Sequence, residues 1–124
     1  MAVQSLFNIN NITRNETNYS IHFSIDASHE LFQGHFPEQP IVPGVCQVQL
    51  IHEVLEDLLS LPLVMSSANT IKFMNMIVPE KHPQLQLLMQ VSEAEDKWKV
   101  KASITDGETI FLKFQGRFQE TKTL

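Results

Sequence analysis

The chain has 124 residues, 43% of them apolar and 19% charged, ordinary proportions for one globular domain, here read as 1–124. A formal net charge of −5 argues against a general nucleic-acid binder, which is usually basic, and the single cysteine, Cys46, excludes an internal disulfide and suits a reducing compartment. No apolar run approaches the roughly 18 residues of a membrane helix, and MAVQSLFNIN lacks the basic-then-apolar order of a signal peptide, so a cytoplasmic setting without membrane partners is expected.

The elements follow in chain order. Alternation is loose from Ser5 to Asn11, and RNETN is polar and turn-like. YSIHFSID then alternates strictly, with Tyr19, Ile21, Phe23 and Ile25 on one face and Ser20, His22 and Ser24 on the other. That pattern is a half-buried strand, and the opening pair reads as a hairpin. The three Asn-x-Ser/Thr matches at Asn11, Asn15 and Asn18 fall in this polar hairpin and read as chance, since no secretory signal accompanies them.

A proline-rich stretch follows, and then GVCQVQLIHEVLEDLLS. Val45, Val48, Ile51, Leu55 and Leu58 recur at helical spacing, and Leu50, Val54 and Leu59 widen the apolar surface. The spacing predicts a helix over about 43–60, with Pro43 in its first turn. It is apolar around much of its circumference and so is expected to be buried on several sides. The remainder is strand-like. SANTIKFMNMIV runs to Pro79, QLQLLMQVSEA and WKVKASIT alternate around an EDK turn, DG marks a hairpin, and TIFLKFQGRFQE closes the chain. The order β-β-α-β-β-β-β predicts an α+β fold, an antiparallel sheet of about six strands wrapped around one long helix.

The chemistry gathers in residues 29–45, HELFQGHFPEQPIVPGV. The first N–H groups of a helix lack internal partners and carry partial positive charge. A glycine there, Gly44, lets a ligand oxygen approach, since no Cβ intervenes. Such an end can polarise a carbonyl. His35 sits in a loop stiffened by Pro37, Pro40 and Pro43, and an imidazole is a competent base near pH 7. A proline-started helix and a loop histidine are each commonplace alone, and their pairing in one short stretch is what points to a site.

The pattern His29-x-x-Phe32-Gln33-Gly34-His35-Phe36-Pro37-x-x-Pro40-x-x-Pro43-Gly44-Val45 resembles the signature of the 3-hydroxyacyl-acyl-carrier-protein dehydratases of fatty-acid synthesis, which have the hot-dog fold. Ile71-Lys72-Phe73 followed by Val78-Pro79 is similar to that family's next strand. The resemblance implies a homodimer, or a trimer of dimers, with each site between two subunits and an acyl chain on the phosphopantetheine of acyl carrier protein as substrate. His35 would take the C2 proton and the Gly44 N–H would hold the thioester carbonyl. Phe36, Pro37, Val45 and Phe73 would line the acyl thioester, and Phe73, Met74, Met76 and Phe111 would set tunnel depth. No metal and no further cofactor is implied.

One position departs from the pattern. The family's helix acid lies fourteen residues after the histidine, which here is Gln49. An amide can hydrogen-bond a hydroxyl or water but cannot donate a proton as a general acid. Three accounts stand open. Gln49 positions the hydroxyl while His35 carries both proton transfers, or Glu53, one turn further along the helix, substitutes, or the protein binds acyl thioesters without converting them or partners an active homologue. A hot-dog thioesterase is a further alternative, though it too would normally use a helix carboxylate. The Pro-Gly-Val-x-Gln helix start, with Gln47, resembles a dehydratase-like branch of aryl-polyene and related pathways. Glu53 and His52 also fit as the helix's less buried edge, and Cys46 as a small buried apolar residue.

Carrier proteins are acidic, so docking on this acidic chain requires a local basic patch. Lys97, Lys99 and Lys101 alternate on one strand and share a face, and Lys72, Lys113 and Arg117 could extend it. A solvated outer sheet face is the plainer account of the same lysines.

Overall fold

A computed structural model describes residues 6–32 and 40–121. Strands β1 (Phe7–Asn15) and β2 (Asn18–Ile25) form the opening hairpin, and a short 3-10 turn spans Glu30–Phe32. Helix α1 (Gly44–Leu59) is followed by β3 (Leu63–Phe73), β4 (Gln84–Ala94), β5 (Lys97–Thr105) and β6 (Ile110–Glu120). The order is the one the sequence periodicity predicts.

The six strands form one antiparallel sheet in the order β1-β2-β4-β5-β6-β3. Period-2 patterning decides which side chains enter the core. Ile21 and Phe23 of β2, Leu85, Leu87 and Met89 of β4, Val100 and Ile104 of β5, and Leu112, Phe114 and Phe118 of β6 are buried. The helix meets them with Cys46, Leu50, Ile51, Val54 and Leu55. Each large side chain taken fully from water stabilises the fold by about 1.5–3 kcal/mol before entropy is counted.

Several boundaries differ from the sequence expectation. Pro43 is the N-cap, extended at φ −61 and ψ 147, and the helix begins at Gly44. It stops at Ser60, whose left-handed φ of 54 breaks the helical repeat. The strand expected to reach Val78 ends at Phe73, because Met74 N–H turns to donate to the Phe111 carbonyl (2.9 Å). Asp106-Gly107 opens a longer loop than a two-residue turn, since Thr105 pairs with Ile110. The Asp106 carboxylate accepts from Glu108 N–H (2.9 Å) and Thr109 N–H (2.7 Å), which closes that loop while Gly107 takes φ 102.

Candidate active site

The start of α1 is held from both sides. Upstream, Val42 N–H donates to the Ile77 carbonyl (2.9 Å), so the segment after β3 anchors the residue two before the helix. Downstream, the Pro43 carbonyl accepts from Cys46 N–H (3.1 Å) and Gln47 N–H (3.3 Å). Neither Gly44 N–H nor Val45 N–H meets an acceptor among the described residues. They stand at the positive end of a 16-residue helix, where an oxygen gaining negative charge is favoured.

Phe73, the last residue of β3, packs directly on this end. A Cβ built on Gly44 would lie 2.6 Å from Phe73 Cζ, so glycine is the residue that lets the ring sit there. Phe73 remains 50% exposed and Val45 71% exposed. Met74 and Met76 are also exposed, so the helix start and the end of β3 form one apolar surface.

Gln49 lies one turn beyond Val45 and Glu53 one turn beyond Gln49, both half-buried and away from the core face. His35, Phe36 and Pro37 lie outside the described residues. Phe111 is fully buried, its ring 4.7 Å from that of His82, and its carbonyl accepts from Met74 N–H (2.9 Å). His52 and Glu56 form a structural clasp in which His52 Nε2 lies 2.7 Å from the Leu63 carbonyl and Glu56 Oε2 accepts from Leu63 N–H at 2.8 Å. This ties the helix exit to β3.

Two neighbours of the site have clear environments. Cys46 is buried, and burial raises its thiol pKa. Desolvation is the cause, since it disfavours the charged thiolate. Gln47, given no role by sequence reasoning beyond its place in the motif, is 3% exposed. Its Nε2 donates to the Val42 carbonyl (3.3 Å) and its Oε1 is buried without a partner among the described residues. A polar residue among apolar helix neighbours was the one available signal.

A helix enfolded by a six-stranded antiparallel sheet, with Phe73 seated on its N-terminus, defines a hot-dog protein. The model of the ApeI-like family, ApeI dehydratase, matches residues 11–117, and the chain belongs to that family. It is 37% identical over 93 residues to the 3-hydroxyacyl-[acyl-carrier-protein] dehydratase FabZ of Ruminiclostridium cellulolyticum, covering 68% of this chain and 65% of the relative. Over 96 residues it is 30% identical to FabZ of Clostridium beijerinckii, covering 70% and 66%. The matched stretch is thus just under two thirds of these relatives' length. Among solved structures, the dehydratase heterocomplex ApeI:P from Xenorhabdus doucetiae superposes with a TM-score of 0.69 at 21% identity, covering 87% of this chain and 92% of that one. The dehydratase domain of the polyketide PpsC from Mycobacterium tuberculosis gives 0.63 at 11% identity, covering 94% and 44%. At these identities the structural matches establish the fold.

Proposed function

We propose that the chain dehydrates 3-hydroxyacyl thioesters of acyl carrier protein to trans-2-enoyl thioesters in fatty-acid or specialised acyl-chain synthesis, in the cytoplasm. The observation that carries this reading is the Gly44 N–H beneath Phe73 at a helix N-terminus, without an acceptor among the described residues, in a member of a dehydratase family. His35 removes the C2 proton, and the negative charge moves to the thioester oxygen at Gly44 N–H. The C3–O bond then breaks. Gln49 hydrogen-bonds the departing hydroxyl but has no proton to give. His35 returns the proton it took, so water leaves and the imidazole is neutral again. Val45 and Phe73, with Phe36 and Pro37, flank the thioester. No cofactor beyond the carrier's phosphopantetheine enters the reaction.

Two subunits assemble along β3 in this reading, as a homodimer or a trimer of dimers. β3 lies at one edge of the sheet, and Val45, Phe73, Met74 and Met76 expose apolar surface beside it. A long exposed edge with apolar flanks is a pairing site.

Gln49 favours a second reading, in which the chain supplies binding surface to an active homologue. The similar protein from Xenorhabdus doucetiae is itself part of a dehydratase heterocomplex, ApeI:P. Mass spectrometry of carrier-bound 3-hydroxyacyl chains separates the readings. Loss of one water with wild type, but not with His35→Ala, supports the dehydratase. A wild type that is inert alone and gains activity as Gln49→Glu moves the conclusion to partnership.

A further inference from the structure

The sheet face turned away from the helix carries a cationic field that the acyl site does not use. Antiparallel register places its residues in cross-strand rows. One row runs Ser20, Leu88, Ser103, Lys113 and Lys72. The next runs Asn18, Gln90, Lys101, Gln115 and Thr70, and a third holds Ser92, Lys99, Arg117 and Ser67. No Asp or Glu stands in these rows, although the chain has 14 acidic residues and only 9 Lys and Arg.

The arrangement works against stability. Lys72 stands directly opposite Lys113, and Lys99 directly opposite Arg117, and like charges facing across strands repel. Among the described residues, none of these cations has an ion-pair partner; the ion pair found there joins His52 and Glu56. A solvated face needs lysines, but it does not need them paired with one another in an acidic protein. The face is also shaped. Lys101 and Lys113 border an open trough of about 730 Å³ that includes Ser103, Thr70 and the exposed Leu88.

We infer that this face docks the acidic carrier protein, with Lys101, Lys113, Lys99 and Arg117 meeting its carboxylates and Leu88, on neighbouring β4, an apolar contact at the margin. The inference rests on the dehydratase reading for the identity of the partner. Charge complementarity selects a carboxylate-rich protein surface. With about 3.4 Å per residue and about 4.8 Å between strands, the patch measures only about 14 by 10 Å. Lys72 is the residue before Phe73 and faces the other way, since Phe73 pairs with the buried Leu112 and Lys72 with Lys113, so the field reaches the end of β3 on the side opposite the ring that covers Gly44.

The test uses the full chain and the apo carrier protein, which bears no acyl group. Titration calorimetry is run with wild type, Lys101→Glu/Lys113→Glu and Lys101→Gln/Lys113→Gln, each checked for wild-type thermal unfolding. Charge reversal is expected to weaken carrier binding by about tenfold or more, neutralisation by less, and added salt to weaken the wild type. Kinetically, reversal raises KM for the carrier-bound substrate at unchanged kcat. Turnover of the carrier-free N-acetylcysteamine thioester stays at the wild-type level. Equal carrier affinity in all three proteins overturns the docking face. Preference of the wild type for a DNA duplex over the carrier overturns it in favour of a polyanion site, and self-association abolished by the reversal overturns it in favour of a second copy. Wild type inert toward both thioesters defeats the dehydratase reading, while the calorimetric affinity still decides the docking face.

Discussion

Phe73 covers Gly44 so closely that a methyl group at position 44 would stand 2.6 Å from its Cζ. The ring is half exposed and can swing outward, so Gly44→Ala is expected to fold with a stability change of about 1 kcal/mol or less. The cost falls on the chemistry, because the ring no longer shields the N–H that receives the thioester oxygen. We expect kcat/KM to drop by about tenfold to a hundredfold, and Phe73→Ala to add little further loss in the Gly44→Ala background. Full additivity in this double-mutant cycle would mean that the two residues act separately.

Gln49 is the second test of the site. It shares a helix face with exposed Val45, one turn away, so a carboxylate placed there stays near solvent and introduces no deeply buried charge. Gln49→Glu is therefore expected to fold normally and to raise the dehydration rate, within the roughly 10²–10⁴-fold range of general acid–base contributions. The gain should follow the acid's protonation and fade as pH rises past its titration. A rate lower than wild type would show that the amide itself has been selected for the step.

Much of the fold was legible because two periodicities carried it. Ile21, Phe23 and Ile25 alternate as β2 requires, and Leu50, Ile51, Val54 and Leu55 recur as the buried face of α1 requires. The end of β3 was not legible. Residues 71–78 stay largely apolar with no Gly or Pro to break them, and the bond from Met74 to Phe111 that ends the strand depends on a residue far along the chain. The Asp106 loop misled for a similar reason, since the carboxylate's reach to Thr109 N–H outweighed the dipeptide signal. Gly44 was legible as a helix start, but its contact with Phe73 is a tertiary fact. The cations were assigned to a common face from β5 alone; that Lys72 opposes Lys113 needed the β3–β6 register.

Cys46 gives a pH prediction. Burial raises its thiol pKa in the folded state, so the unfolded chain releases that proton first as pH rises. The stability from keeping the thiol neutral is fully present below the unfolded thiol's pKa, near about 8.5. It declines as pH climbs from there toward the folded value. Urea midpoints should therefore fall from pH 7.5 to pH 10 by more in wild type than in Cys46→Ala. Native Cys46 should also react with iodoacetamide far more slowly than the thiol of the denatured chain.

Asp106 has the opposite sign. Backbone N–H groups of Thr109 and then Glu108 hold its carboxyl below the ordinary carboxylate value. Its contribution is present above the unfolded pKa, near about 3.9, and is lost as pH falls through the lower folded value. Asp106→Asn should remove that acid-side dependence, and amide exchange in the β5–β6 hairpin should quicken at neutral pH. An unchanged exchange pattern would place the closure of this loop in Gly107 and the flanking strands.

The clasp at the other end of α1 makes a stability prediction that leaves the site untouched. Glu56 Oε2 accepts from Leu63 N–H and lies 3.5 Å from His52 Nε2, which itself contacts the Leu63 carbonyl. Both polar groups of Leu63 are thus satisfied by the helix, at the residue where β3 begins and Leu63 itself enters the core. Glu56→Ala strands the N–H and should cost about 1–3 kcal/mol. Glu56→Gln keeps an acceptor and should recover most of it. Because β3 carries Phe73 at its far end, a destabilised clasp that left kcat unchanged would show that the Gly44–Phe73 contact is held by the Val42–Ile77 anchor, whereas a parallel loss of activity would show that the whole strand positions it.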